Sequence, residues 1–175
     1  MLKNRRLLTL VLASTLLLSA CGFKLRGSIL GGDLPFKSIF ISAPASSTLG
    51  NELRRYIRGS GELAIKERAE DAEAILDIVS ELRNKVILSL NSQGRVREYV
   101  LYYHVTVRVR NNAGATYMAP TTITLKRDIS YNESQVLAKE AEEAMLYRDM
   151  QSDLVQQILR RMAAIKSVDD NAAEE

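Results

Sequence analysis

The spacing of hydrophobic residues along this chain alternates between two periods, and each change of period marks an element. Residues 36–42, FKSIFIS, are short and β-branched enough for a strand. Ser46, Ser47 and Thr48 then offer helix caps ahead of Leu49, Leu53, Tyr56 and Ile57, which share one helical face. Gly59-Ser60-Gly61 ends that helix. Residues 75–90 form a second extended stretch, with Leu76, Ile78, Ser80 and Leu82 expected on one face. The clearest strand is Val96–Arg110. Tyr99, Leu101, Tyr103, Val105, Val107 and Val109 point one way, and Tyr102, His104, Thr106, Arg108 and Arg110 point the other. Residues 111–114 read as a turn, and residues 117–129 return as the next strand, in which Pro120 requires an edge position or a bulge.

These last two strands carry a parity constraint. The apolar residues of the returning strand, Tyr117, Ile123, Leu125 and Ile129, are odd-numbered, like those before the turn. Side chains alternate with period two, so the loop needs an odd length or the ladder needs a bulge. Beyond them, Asn132 and Gln135 form a box-like start for a final helix. Its periodicity runs through Leu137, Ala141, Ala144, Met145, Val155, Ile158, Leu159 and Met162, about 34 residues or roughly 50 Å. Arg148 and Gln151 interrupt its apolar stripe. The expected fold is α+β: a four-stranded, mostly antiparallel sheet with both helices on one face and the other face partly open.

The N-terminal end follows a different logic. Lys3, Arg5 and Arg6 precede an uncharged run of twelve residues, 7–18. As a helix that run spans roughly 18 Å, short of a ~30 Å hydrocarbon core, so it reads as a removable secretory signal. The chain's one cysteine, Cys21, stands where the run ends, without a second thiol to pair with. Leu18-Ser19-Ala20-Cys21 resembles the lipobox of bacterial lipoproteins. That resemblance implies cleavage before Cys21, a diacylglycerol on its thiol and an acyl chain on its new amine. Gly22, in place of the aspartate of inner-membrane lipoproteins, implies sorting to the outer membrane. The domain reading is therefore residues 1–20 as signal peptide, 21–35 as an acylated tether, 36–166 as a single domain, and 167–175 as an acidic disordered tail. Three of the 24 basic residues and none of the 21 acidic ones leave with the signal, so the mature chain carries 21 of each. The basic isoelectric point of the precursor then gives no reason to expect nucleic acid as a partner.

Catalytic chemistry finds little footing. His104 is the one histidine, in a strand between polar neighbours. No Walker loop or GxGxxG is present, and one histidine with one cysteine makes a transition-metal site improbable. Glu67, Glu70, Asp71 and Glu73 read as a solvated surface loop. The basic residues are less bland. Between Arg83 and Arg127 there are eight, Arg83, Lys85, Arg95, Arg97, Arg108, Arg110, Lys126 and Arg127, against Glu98 alone. They read either as a sheet face whose cations discourage edge pairing or as an anion-binding face, phosphorylated lipid being the better candidate behind a signal peptide.

In order and at their spacings, several short stretches resemble the lipopolysaccharide-assembly lipoprotein (LptE) family. They are residues 21–26 (CGFKLR) after the lipobox, Glu98-Tyr99, residues 136–140 (VLAKE), Arg148-Asp149-Met150, and residues 157–161 (QILRR). The resemblance spans nearly the whole mature chain. It implies a cofactor-free, non-catalytic α/β domain, lipid-anchored at the outer membrane and facing the periplasm. There it would plug a large β-barrel translocon, assist the folding of that barrel and bind lipopolysaccharide. It also implies a lipopolysaccharide-binding role for Lys139. The family's second basic position falls near Ser92, where this chain lacks an arginine and Arg95 or Arg97 substitutes. Arg108, Arg110 and Lys126 form the alternative basic face. The competing reading is a peripheral envelope lipoprotein acting as a periplasmic enzyme or scaffold.

Overall fold

The computed structural model describes residue 30 and residues 34–165. The proposed signal peptide, Cys21 and the acidic tail lie outside the described residues, as does most of the tether. β1 (Ser38–Ser42) leads into helix α1 (Thr48–Ser60). Ser47 caps that helix, its hydroxyl accepting from the Gly50 amide at 3.0 Å, and Gly61 ends it at φ 70°. Gly50 is required by close approach, since a Cβ there would sit 2.7 Å from that of Ala43.

The sheet has five strands where the sequence suggested four. The extra one, β2 (Ala64–Ile65), pairs parallel with β1 and is two residues long, too short for a side-chain alternation to announce it. β3 (Ala74–Leu90), β4 (Val96–Arg110) and β5 (Thr116–Ser130) form an antiparallel meander, and the full order is β2-β1-β3-β4-β5. The β4–β5 hairpin satisfies the parity constraint through its loop. Residues 111–115 are an odd five, and the two single-residue shifts between Thr121 and Thr116 both add a residue to β5, so together they preserve the parity. Pro120 sits within those shifts, on an edge strand.

β3 departs from its expected facing. A register shift between Ile78 and Ser80 leaves Val79 unmatched. Leu76 and Ile78 oppose Val109 and Val107 on the core face, but beyond the bulge Leu82 opposes His104 on the open face. Ser80 and Leu82 therefore do not continue the face of Leu76 and Ile78.

The last helix, α2 (Val136–Ala163), has 28 residues, about 42 Å. It is shorter than expected because Asn132 caps a 3₁₀ turn, Glu133–Gln135, its side chain accepting from the Ser134 amide. Both helices pack on the odd-numbered face of β4. Leu49, Leu53 and Ile57 of α1 and Met150, Leu154, Ile158 and Met162 of α2 close over Tyr103, Val105, Val107 and Val109. Leu30 and Phe36 are buried in the same core. The burial is confined to one half of α2: nothing from Val136 to Asp149 is buried, and Leu137 is 82 % exposed. Leu137, Ala141, Ala144 and Met145 thus share a stripe with the buried residues without being buried themselves.

Candidate functional site

A layer of polar groups separates the packed half from the open half. The Glu52 carboxylate, buried on α1, accepts from Gln151 Nε2 at 2.6 Å and from Ser152 Oγ at 2.8 Å. Gln151 Oε1 accepts in turn from Thr48 and from Arg83, at 2.9 and 3.1 Å. Arg83 also donates to the Tyr103 hydroxyl, which donates to Glu81. Burial, with the adjoining Glu81 carboxylate, pushes the Tyr103 phenol well above its usual range, so it stays protonated as a donor. Gln151 interrupts the apolar stripe because it holds this network. Arg148 remains exposed.

Above that layer the basic residues divide. Arg95 and Arg97 line one cleft of about 520 Å³ with Asn91, Tyr131, Asn132 and Ser134, between the β3–β4 turn and the start of α2. Glu133 shares the cleft and accepts from Arg95 at 3.3 Å. Both partners of that pair are well exposed, so it constrains Arg95 little. Lys139 is not part of the cleft wall. Its ammonium donates to Ser130 Oγ at 2.9 Å and to Glu142 at 2.8 Å, and its side chain is only 16 % exposed. The fold brings Arg95 and Arg97 together and places Lys139 behind Ser130, already paired.

The alternative basic face is organised around one carboxylate. Asp77 stands directly opposite Arg108 in the ladder and accepts from it at 2.7 Å and from Arg110 at 2.8 Å. Burial pushes the Asp77 carboxyl up, but hydrogen bonds and charge from Arg110 and Arg108 outweigh it and hold the group below its usual range. Those arginines are committed to the fold. Lys126, exposed across from Tyr102, shares their face of the sheet. Arg97 belongs to the opposite side of β4, so the two arginine pairs do not form one patch.

One cation counted among the eight basic residues, but given no role of its own there, has a defined seat. Lys85 donates to Glu143 at 2.6 Å and lies over the Tyr99 ring at 4.4 Å, with Tyr131 at 6.0 Å. Burial alone would lower its ammonium value, but Glu143 raises it above the usual one. Only the bulge at Val79 turns Lys85 toward α2, so no spacing in the sequence marks it.

His104 Nδ1 shares a hydrogen bond with Thr124 Oγ1 at 2.9 Å and stacks on Tyr102. No carboxylate orients it among the described residues. The acidic cluster is surface pairing: Arg68 bridges Asp71 at 2.9 Å and Glu70 at 3.4 Å. Among the described residues there is no group of three metal-ligating side chains, and no helix is long and apolar enough to cross a membrane.

Comparisons with known proteins complete the description. The chain is 25% identical over 174 residues to the LPS-assembly lipoprotein LptE of Yersinia enterocolitica, covering 99% of this chain and 83% of that one. It is 26% identical to that of Photorhabdus laumondii, covering 98% and 93%. The solution structure of an uncharacterised lipoprotein B from Nitrosomonas europaea shares 45% of its sequence, with a TM-score of 0.70 over 84% of this chain and 94% of that one. The rare lipoprotein B of Shewanella oneidensis, 24% identical with a TM-score of 0.65 over 79% and 99%, has the same fold. A family model, LptE, described as lipopolysaccharide-assembly, matches residues 36–162. By that match the chain belongs to the lipopolysaccharide-assembly LptE family.

Proposed function

We propose that this protein is a lipid-anchored, non-catalytic component of lipopolysaccharide assembly at the outer membrane, seated as a plug in a large β-barrel partner. The family role is assembly, not enzymatic turnover, and it concerns lipopolysaccharide transport and outer-membrane assembly. The observation that carries the reading is the family match over the whole packed domain. In the finer reading, residues 1–20 are removed, Cys21 is triacylated, and residues 36–166 form the domain. A single acyl chain anchors only marginally, whereas three anchor essentially permanently. The enzyme alternative has neither an oriented histidine nor the family on its side.

Lipopolysaccharide contact is assigned to the Arg95–Arg97 cleft, with Lys139 behind it. Lipid A phosphates are compact anions that guanidinium and ammonium groups hold by charge-assisted hydrogen bonds. The cleft also adjoins the N-terminal, positive end of α2. Arg95→Glu, Arg97→Glu and Lys139→Glu combined should weaken lipopolysaccharide binding by the full chain about tenfold, ~1.4 kcal/mol. Wild-type binding should fall as salt rises. Unchanged binding in the triple variant at low salt would move the site to Lys126, the member of the alternative face that Asp77 does not hold.

A further inference from the structure

The outer edge of β3 is bordered by β1 only over Ala74–Asp77, whereas its inner edge is paired with β4 from Ile75 to Leu90. Past Asp77 no strand borders that outer edge among the described residues. Between the bulge at Val79 and the shifts after Ile87, residues 80–87 keep one continuous register with β4, about 26 Å of regular strand. The large apolar side chains exposed among the described residues all lie in this half of the molecule. Val79, Leu82, Val86, Ile87, Leu88 and Leu90 are on the edge strand, each 50–55 % exposed, and Val136, Leu137 and Met145 are on the overhanging part of α2.

We infer that residues 80–87 are a strand-addition site for an extended segment of a polypeptide partner. This deepens the plug reading and rests on it, the partner there being the barrel. Three observations select a polypeptide strand. First, an edge strand offers unpaired amides and carbonyls as well as apolar side chains, and acyl chains satisfy neither. Second, self-pairing meets like charges. A two-fold axis through an antiparallel pair keeps each residue's sheet face, so the register centred on Asn84 sets Arg83 against Lys85 twice, and the one centred on Arg83 sets that residue against its own copy, offset there by Glu81 opposite Lys85. Third, the two faces of the stretch differ. Leu82 and Val86 lie on the open face, and Glu81, Arg83 and Lys85 lie on the helix face with their charges paired by one another and by Glu143, so the incoming strand should be apolar on one side and polar on the other. The Tyr147 hydroxyl donates to the Asn84 carbonyl at 3.0 Å, and the added strand either bonds beside that contact or displaces it.

The test places a photo-crosslinking residue at Leu82, Asn84 or Val86 of the full chain in cells and maps the captured peptides by mass spectrometry. Strand addition predicts that the three positions capture residues of one partner segment stepping by two in order. Leu82→Lys with Val86→Lys should lower the yield of the complex about tenfold while leaving thermal unfolding of the isolated chain unchanged. Capture of lipid, of a second copy, or of scattered residues of a co-purifying barrel would overturn the inference and leave the plug reading intact. Ordered capture of a different polypeptide, without a barrel, would keep strand addition and remove the plug reading. Absence of any captured polypeptide overturns the inference.

Discussion

Truncating Leu154 to alanine should destabilise the domain by about 2–5 kcal/mol, whereas the same change at Leu137 should stay within about 0.5 kcal/mol. The two residues belong to one helix and one apolar periodicity. Leu154 is fully buried among α1 and the odd face of β4; Leu137 lies beyond the polar layer. Deleting the first loses its transfer free energy and leaves a cavity that a close-packed core fills only partly. Deleting the second removes a side chain that is in water in the isolated chain. Thermal or denaturant unfolding of the two variants checks the contrast. Equal losses would mean that the first half of α2 packs as tightly as the second.

Asp77→Asn should be the next most damaging change, at about 1–3 kcal/mol near neutral pH. It leaves Arg108 and Arg110, two apart on one face of β4, without their shared carboxylate. The cost stays below that of a fully buried pair because both arginine side chains keep about a third of their surface in water. The pH dependence has a definite sign. The folded-state value of Asp77 lies below the unfolded one, so its contribution is fully present above about pH 4 and is lost as pH falls through the folded-state value. Unfolding curves of wild type and Asp77→Asn should therefore converge in strong acid. A gap that persists there would mean that the asparagine acts through packing.

How far the sequence reached depended on the range of the interaction involved. The start and end of α1 were legible because Ser47 and Gly61 act within a few residues of themselves. β4 was legible throughout because one of its faces is buried and the other is polar. The parity of the β4–β5 hairpin followed from that alternation. β3 misled because its apolar residues continue past Ile78 while the bulge at Val79 reverses which face they occupy, and a bulge is decided by the partner strand. α2 misled for a related reason: periodicity reports which side of a helix is apolar, not how far the sheet and α1 extend beneath it. In the candidate site, Arg95 and Arg97 were legible as neighbours of a turn. The pairing of Lys139 with Glu142 and Ser130, and the seating of Lys85 on Tyr99, needed the tertiary register.

The central claim is that this lipoprotein works as the plug of an outer-membrane barrel, and purification of the full chain from detergent-solubilised outer membranes tests it most directly. The account predicts one large β-barrel polypeptide recovered at equal stoichiometry, and a chain whose intact mass begins at Cys21 and carries three acyl groups. Recovery of the lipoprotein alone, under conditions that keep other membrane complexes intact, or an unmodified thiol at position 21, would contradict it.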